Sequence, residues 1–564
     1  MVLTNFLRKF FPERWTIPIP FTSFIPLALS IGIGSWVALD KAQDFITLPL
    51  PQCQGNTFDF IIVGGGCAGI IVATRLANAT PSSSVLLLEA GGEPSLLNYV
   101  PAFDLYLSNE KSISWIYNST PLTHSCGACD DRKALTTRGK MLGGSSSHNF
   151  MFYVRGNKED YNRWQWEDAG GDPQWSYEQL LPYFKKSEDY HGAYQNDPDV
   201  WKYHGKGGLL NVGTYDFQPG VDQFLEAAKE KGYKVGDYNG ENQEVFHEVD
   251  MTIQDGWRDV ARNEVILSAG AIGSAKLMLL SGVGPAEELQ EMNIPVIMDL
   301  PVGKTMQDHT YAMVGPFLKS PAASVNFNSV PQTVTNFLLH GRGPLAAPAS
   351  IAGWRFMQSP LAQPSYPDLQ LSQFSAGLYP ELPQDFNSFL GLNATILNTW
   401  FHPYHLENRD ARFLLLWLGR PKSVGSMKLA SKNPDENPIL DPKYLEHPDD
   451  IEALLMRSSR FKSDEYYRCV IRQFGGSFYH HVGTCALEKV KGINGLRIID
   501  ASIIPRVPNG NTQAGVIMVA EKGVDLILQD FDEKKQFTAN LNGKETETFK
   551  YLKQTLLHSS QNRV

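Results

Sequence analysis

Glycines 64, 66 and 69 close the stretch FDFIIVGGGCAG in the spacing G-x-G-x-x-G, which suits the binding of a pyrophosphate. Gly64 permits a tight turn, Gly66 lets a phosphate reach bare backbone, and Gly69 lets a following helix lie close to the preceding strand. That chemistry needs a strand before the turn and, after it, a helix whose first N–H groups face the anion. The apolar run FDFIIV, with β-branched Ile61, Ile62 and Val63, predicts a short buried strand, and IIVATRLANA has helical spacing. VLLLEAGG at 85–92 predicts a second buried strand ending at Glu89, 25 residues after Gly64. A carboxylate there accepts a hydrogen bond from an adenosine ribose hydroxyl. The unit reads as a dinucleotide site; the bland alternative is a strand–helix–strand core with a structural turn.

A second stretch, TRGKMLGGSSSHNFMFYVRG at 137–156, is rich in Gly and Ser. Small residues with free N–H groups and hydroxyls suit close approach to an anionic or planar ligand, and equally suit a surface loop. Cys126 and Cys129 form a CxxC, but no second pair completes a zinc set, and no metal site is expected. Cys67, inside the glycine turn, reads as small filler. Sequons stand at Asn78, Asn118 and Asn393; Asn78 belongs to the first helix, which leaves Asn118 and Asn393 as the better glycan candidates.

The positioning elements need a long chain, and 564 residues with 42% apolar and 20% charged side chains allow two or more domains. A net charge of −10 excludes an electrostatic nucleic-acid binder. Arg8, Lys9 and Arg14 precede an uncharged stretch from Phe21 to Leu39. Residues 1–40 therefore read as a signal peptide or signal anchor, with an apolar arm packed on the domain as the alternative. Entry into the secretory pathway follows, which the six cysteines fit, and membrane contact is expected only through this segment. Residues 41–56 read as a linker. A cofactor domain with inserted loops is expected over 57–309. It includes a strand, small-residue turn and helix in EVILSAGAIGSAKLMLLSGVGP. Prolines, aromatics and alternating runs at 310–445 predict a mostly antiparallel sheet with helices, a substrate domain. Residues 446–530, with the strand LRIIDAS and the helix VIMVAEKGVDLIL, return to the cofactor domain; 531–564 is a polar tail.

Several motifs then resemble the glucose–methanol–choline (GMC) flavin oxidoreductases, in family order: the glycine unit, GKMLGGSSSHN, GAIGSAKLMLLSGVG, LPVGKTMQDH, HHVGTC and LRIIDAS…GNTQA…AEKG. The overall look is similar to insect glucose-dehydrogenase-like members, over roughly 57–530. The resemblance implies an α/β fold (α+β overall), with a Rossmann-like FAD-binding domain and an antiparallel substrate domain. It implies FAD as cofactor, a sugar, sterol-like or retinoid alcohol as substrate, and oxygen, a quinone or another electron acceptor. It also implies His480 as the base that takes the hydroxyl proton, since histidine titrates near neutrality. Gln513 stands where the family has His or Asn, one methylene longer than Asn. Cofactor contacts are implied for Gly143, Gly144, Ser146, His148, Asn149, Asp500 and Ala501. His148 stands where choline-oxidase-like members bond flavin to the protein; it either makes that bond or packs beside the ring.

The chain also looks short for the family. Only four residues separate GWR (256–258) from NEVIL (263–267), and the segments before FKSDEYYRC and after HHVGTC are brief. The competing expectation is a catalytically impaired GMC scaffold from an incomplete or exon-skipped gene product.

Overall fold

The computed structural model describes residues 58–531, except 255–256, 259–265, 320–332, 334–335, 339, 349–350, 406–409, 456–462 and 486–495. The expected leader, linker and polar tail lie outside the described residues (Phe531 of the tail excepted), as do the junction around Asn263 and the other two short segments.

The glycine unit forms as its sequence dictates. Strand Phe60–Val63 pairs in parallel with Val85–Leu88, Phe60 opposite Val85, and helix Cys67–Ala79 connects them. On the other edge Val63 N donates to Ile266 O (3.0 Å) and Ser268 N to Val63 O (2.7 Å). Leu267 in turn pairs in parallel with Ile498. Four short segments thus make one parallel layer in the order 85–88, 60–63, 266–268, 497–499. Helix Gly270–Leu280 leaves the third segment, and a helix over 512–531 follows the fourth.

One expectation needs correcting. The first strand is buried on one face only: Ile62 is fully buried while its neighbour Ile61 is 52% exposed, as is Leu88 at 47%. Alternate strand residues point to opposite faces. The Ile62 face packs into the core with the Cys67–Ala79 helix, and the opposite face is open at Ile61 and Leu88.

The second sheet is antiparallel with five strands, in the order Thr310–Lys319, Asp410–Leu418, Leu369–Gly377, Ile351–Met357 and Phe246–His247. Its last strand comes from the N-terminal half of the chain, so the sheet is stitched from distant segments. Aromatic side chains fill its core. Trp354 and Trp417 meet edge-on at 4.8 Å, and Phe386 and Phe401, from helices Leu382–Leu390 and Ala394–His405, pack on Phe413. Helix Asp464–Phe474 is capped by Ser463, whose hydroxyl accepts from Tyr466 N, and carries Asp464 and Glu465 in its first turn. It delivers the chain to the segment 475–485, which carries the paired histidines.

Candidate active site

A cavity of about 550 Å³ is lined by Gly64, Gly66 and Glu89 of the glycine unit together with His480, Asn511 and Gln513. The starts of three helices line it, at 66–68, 269–271 and 511–513. The first has no side-chain cap, so its leading N–H groups remain for an anion. Two glycines there do different work. Gly64 has φ +107°, and a Cβ would meet Ser268 O at 2.6 Å, so the fold itself excludes a side chain. A Cβ on Gly66 would meet only Ser268 O at 3.8 Å, so its bareness serves whatever occupies the cavity. Gly69 lies buried in the helix and away from the cavity wall, as a close-packing role requires.

The Gly/Ser stretch docks directly on this turn. Gly143 N donates to Gly65 O (2.8 Å), Gly66 and Gly143 form a parallel bridge, and Gly144 sits too close to Gly66 Cα for any side chain. Gly144, Ser146, His148 and Asn149 line the cavity. Glu89 accepts from Gly65 N (2.6 Å) and Gly91 N (2.9 Å), one on each oxygen, and each oxygen keeps a second lone pair. Asp500 and Ala501 also line the cavity, but the Asp500 carboxylate is committed to fixing neighbours. It accepts from Gly270 N, Ser274 Oγ, Ser502 N and Ser502 Oγ, and so ties the start of the 270–280 helix to the fourth strand segment.

The basic end is set by a chain of hydrogen bonds whose directions can be assigned. His309 Nε2 lies 3.1 Å from Gly419 O, a carbonyl that only accepts, so this nitrogen carries the proton. Burial holds His309 below its ordinary pKa and neutral, so its Nδ1 is an acceptor. His480 Nδ1, 2.9 Å away, must therefore donate. His480 Nε2 is left with a lone pair, and Asn511 Nδ2 lies 3.2 Å from it. Burial, His309, Arg138 and His481 together push the His480 pKa well below 6.5, so the ring is neutral at pH 7. Its backbone is held equally firmly. His480 N donates to Asp308 Oδ1 (2.6 Å), and the preceding Tyr479 is held at φ +63° with its carbonyl on Arg138 Nη1 (2.5 Å). His481 accepts from Arg138 through Nδ1 (3.2 Å) and faces Asp308 with Nε2 (3.6 Å).

Gln513 lies on the cavity wall, but its amide oxygen accepts from Asn149 Nδ2 (2.6 Å); the amide beside His480 belongs to Asn511. Sequence reasoning missed Asn511, His309, Asp308 and Arg138. The signals were there: His309 and Asp308 close the motif LPVGKTMQDH, and Asn511 lies two residues before Gln513.

The bare glycine turn, the carboxylate ending the second strand and the uncapped helix fit a dinucleotide, and a neutral base with an outward lone pair fits removal of a hydroxyl proton. Together they define a dinucleotide-fold oxidoreductase. Family comparison is more specific. The sequence model described as GMC oxidoreductase matches its N-terminal part to residues 58–258 and 249–311, and its C-terminal part to 455–520. The chain belongs to the GMC oxidoreductase family, whose cofactor is FAD. It is 31% identical to glucose dehydrogenase [FAD, quinone] of Drosophila melanogaster over 85% of this chain and 88% of that one. It is also 31% identical to ecdysone oxidase of Bombyx mori, over 87% and 84%. Among solved structures, a formate oxidase superposes with TM-score 0.71 at 24% identity, over 85% of this chain and 99% of that one. Pyridoxine 4-oxidase from Mesorbium loti gives 0.66 at 22%, over 83% and 99%. These two carry the fold alone.

The N-terminal match breaks into two segments that overlap at 249–258, beside the junction where the chain looks short. The alignment to the Drosophila protein spans 582 positions, whereas 85% of 564 residues is about 480. About a hundred positions of that alignment thus have no residue of this chain opposite them.

Proposed function

We propose that this chain oxidises the CH–OH group of a small-molecule alcohol, with His480 as the base. FAD, when bound, supplies the acceptor for the hydride that leaves the alcohol carbon. Gly64, Gly66 and the Gly143–Ser146 turn would hold its pyrophosphate, Glu89 its adenosine ribose, and His148, Asn149 and Gln513 its flavin end. The observation that carries the reading is the assigned lone pair on His480 Nε2. A hydroxyl placed there gives up its proton to a neutral imidazole, and loss of that proton is what frees the hydride. Asn511 bonds the same nitrogen in the present arrangement, and turns its amide to an incoming hydroxyl oxygen.

Phe150, Met151, Phe389, Phe478 and Tyr479 line the cavity together with His480. This largely apolar lining supports a carbon-rich alcohol, sterol-like or retinoid, over a sugar. The acceptor that reoxidises the flavin is oxygen, a quinone or another electron acceptor. An impaired scaffold is not favoured: the family match and the glycine turn lining the cavity support the active reading.

Residence in the secretory pathway is supported by the Cys126–Cys129 disulfide, a bond typical of oxidising compartments. Asn118 is exposed and available for a glycan. Asn393 is occupied as a helix cap, with its Nδ2 on Asp130 and its Oδ1 accepting from Thr395 N and Ile396 N. Among the described residues no helix is long and apolar enough to cross a membrane.

The test is anaerobic: purified protein is mixed with sterol, retinoid and sugar alcohols while the flavin bands are followed. Bleaching by a carbon-rich alcohol without added reductant is expected. A flavin that stays oxidised with every alcohol overturns the proposal.

A further inference from the structure

Away from the cavity, the side chains of Asp237, His247 and Asp250 converge, the last two fully buried and Asp237 partly so. His247 is fully buried in the edge strand of the antiparallel sheet, and its Nδ1 donates to the Glu248 carbonyl. Its Nε2 therefore carries a lone pair, and that nitrogen makes no hydrogen bond. The polar atoms it faces are two carboxylate oxygens, Asp250 Oδ2 at 3.7 Å and Asp237 Oδ1 at 4.0 Å. One donor atom from each of the three residues lies within 4.8 Å of the others. Lone pairs of the imidazole nitrogen and of two carboxylates that face one another at these distances form a donor set that a bound cation satisfies.

We propose that Asp237, His247 and Asp250 bind one divalent transition-metal cation. The geometry suits a coordination shell. Zinc bonds of ~2.0–2.2 Å to imidazole nitrogen and carboxylate oxygen place tetrahedral ligands ~3.3–3.6 Å apart, so His247 Nε2, at 3.7 and 4.0 Å from the two carboxylate oxygens, is within about half an ångström of ligand spacing to each. A fourth position is left for water.

The outer shell is already built. The Glu248 carbonyl fixes the His247 tautomer that ligation needs. Asp237 Oδ1 accepts from Asn239 N (2.8 Å) and its Oδ2 meets His204 Nε2 (3.0 Å). Asp250 Oδ1 accepts from the Thr214 hydroxyl, and Tyr238 OH bonds Asp250 N (3.1 Å). Asp237 is the member that reaches solvent, with 11% of its side chain exposed, and so gives the ion a way in. The imidazole distinguishes the site from all-oxygen cages that take calcium or magnesium.

The ion would join two sheets. His247 belongs to the edge of the five-stranded sheet, while Asp250 begins strand Asp250–Met251, which pairs with Leu210–Thr214. Asp250 O also accepts from Tyr153 N (3.0 Å), and Met251 bridges to Phe152 on the cavity wall. The cation would thus brace that wall from behind without touching substrate.

Full-length holoprotein, with its disulfide left oxidised, is stripped with a chelator and titrated calorimetrically with zinc, then with magnesium and calcium. One equivalent of zinc should bind, far more tightly than either control ion, and His247→Gln and Asp250→Asn should each weaken it at least about tenfold. At a fixed zinc concentration Tm should also rise more in wild type than in either variant. No binding by wild type, or unchanged binding in both variants, overturns the proposal. Flavin content reports whether the variants fold. Should they fail to, cobalt titration of wild type decides: intense tetrahedral d–d absorption is expected, and its absence overturns the assignment.

Discussion

His480 and His309 meet nitrogen to nitrogen, their Nδ1 atoms 2.9 Å apart and their ring planes perpendicular. Only one of two such nitrogens can carry the proton. The carbonyl of Gly419 decides which, because it claims the single ring proton of neutral His309. The choice passes along the pair and leaves the lone pair of His480 on Nε2. A backbone carbonyl just past the Asp410–Leu418 strand thereby sets the tautomer of a histidine on the cavity wall.

That relay predicts the effect of His309→Phe. With no acceptor beside it, the His480 ring loses both its tautomer bias and its orientation. Flavin content should be unchanged and the anaerobic rate of flavin reduction by alcohol should fall about a hundredfold. His309→Gln, whose amide oxygen can still accept, should recover part of the loss. Stopped-flow reduction rates equal to wild type in the Phe variant would show that the pair does not orient the base.

His480→Ala removes the proposed base. Reduction should slow by about 10²–10⁴ while FAD remains bound. In wild type the rate should stay level from neutral pH down past 6.5, because burial, His309, Arg138 and His481 all hold His480 below that value and keep its basic form present. Asp308, on its backbone N–H and facing His481, is the carboxylate beside this group. A rate profile falling with an apparent pKa at or above 6.5 would assign the base elsewhere.

The glycine turn allows a cleaner dissection than its motif suggests. Gly66→Val should fold, since the space beside Gly66 is open, but should be purified without flavin. Gly64→Ala should instead reduce stability, because its Cβ would collide with the 268–269 backbone and its φ of +107° is strained for any L side chain. Thermal unfolding and flavin absorbance after gel filtration separate the two effects. Full flavin occupancy in Gly66→Val would show that nothing approaches that backbone.

The glycine spacing, the acid closing the second strand and the antiparallel sheet were legible because each depends on local pattern. Helical and strand periodicities fix those elements, and turn chemistry fixes the glycines. Three things were not legible. Asn511 rather than Gln513 faces His480, because a two-residue choice at a helix start depends on where Asn149 lies, 364 residues away from Gln513. The His309–His480 pair spans 171 residues and appears only when both loops fold. The open face at Ile61 and Leu88 contradicts a buried-strand pattern, since an apolar run does not say which layers cover it.

His481 offers a test of the buried charge balance in stability. Burial outweighs the attraction of Asp308, and Arg138 adds to burial, so its pKa falls to about 4 in the folded chain against 6.5 when unfolded. The unfolded chain therefore takes up a proton that the folded chain refuses between pH 6.5 and 4. Folding stability from this group is complete above pH 6.5 and is lost as pH falls towards 4. At 1.36 kcal/mol per pK unit the loss is about 3 kcal/mol. Other groups titrate in the same window: burial raises Asp250 to about 7, which works in the opposite direction. The measurement is therefore a difference. Unfolding free energies of wild type and His481→Gln, taken from denaturant titrations at several pH values, should run parallel above pH 7. Below that, wild type should lose about 3 kcal/mol relative to the variant by pH 4. Parallel curves across the whole range would show that His481 is protonated as readily inside the protein as outside it.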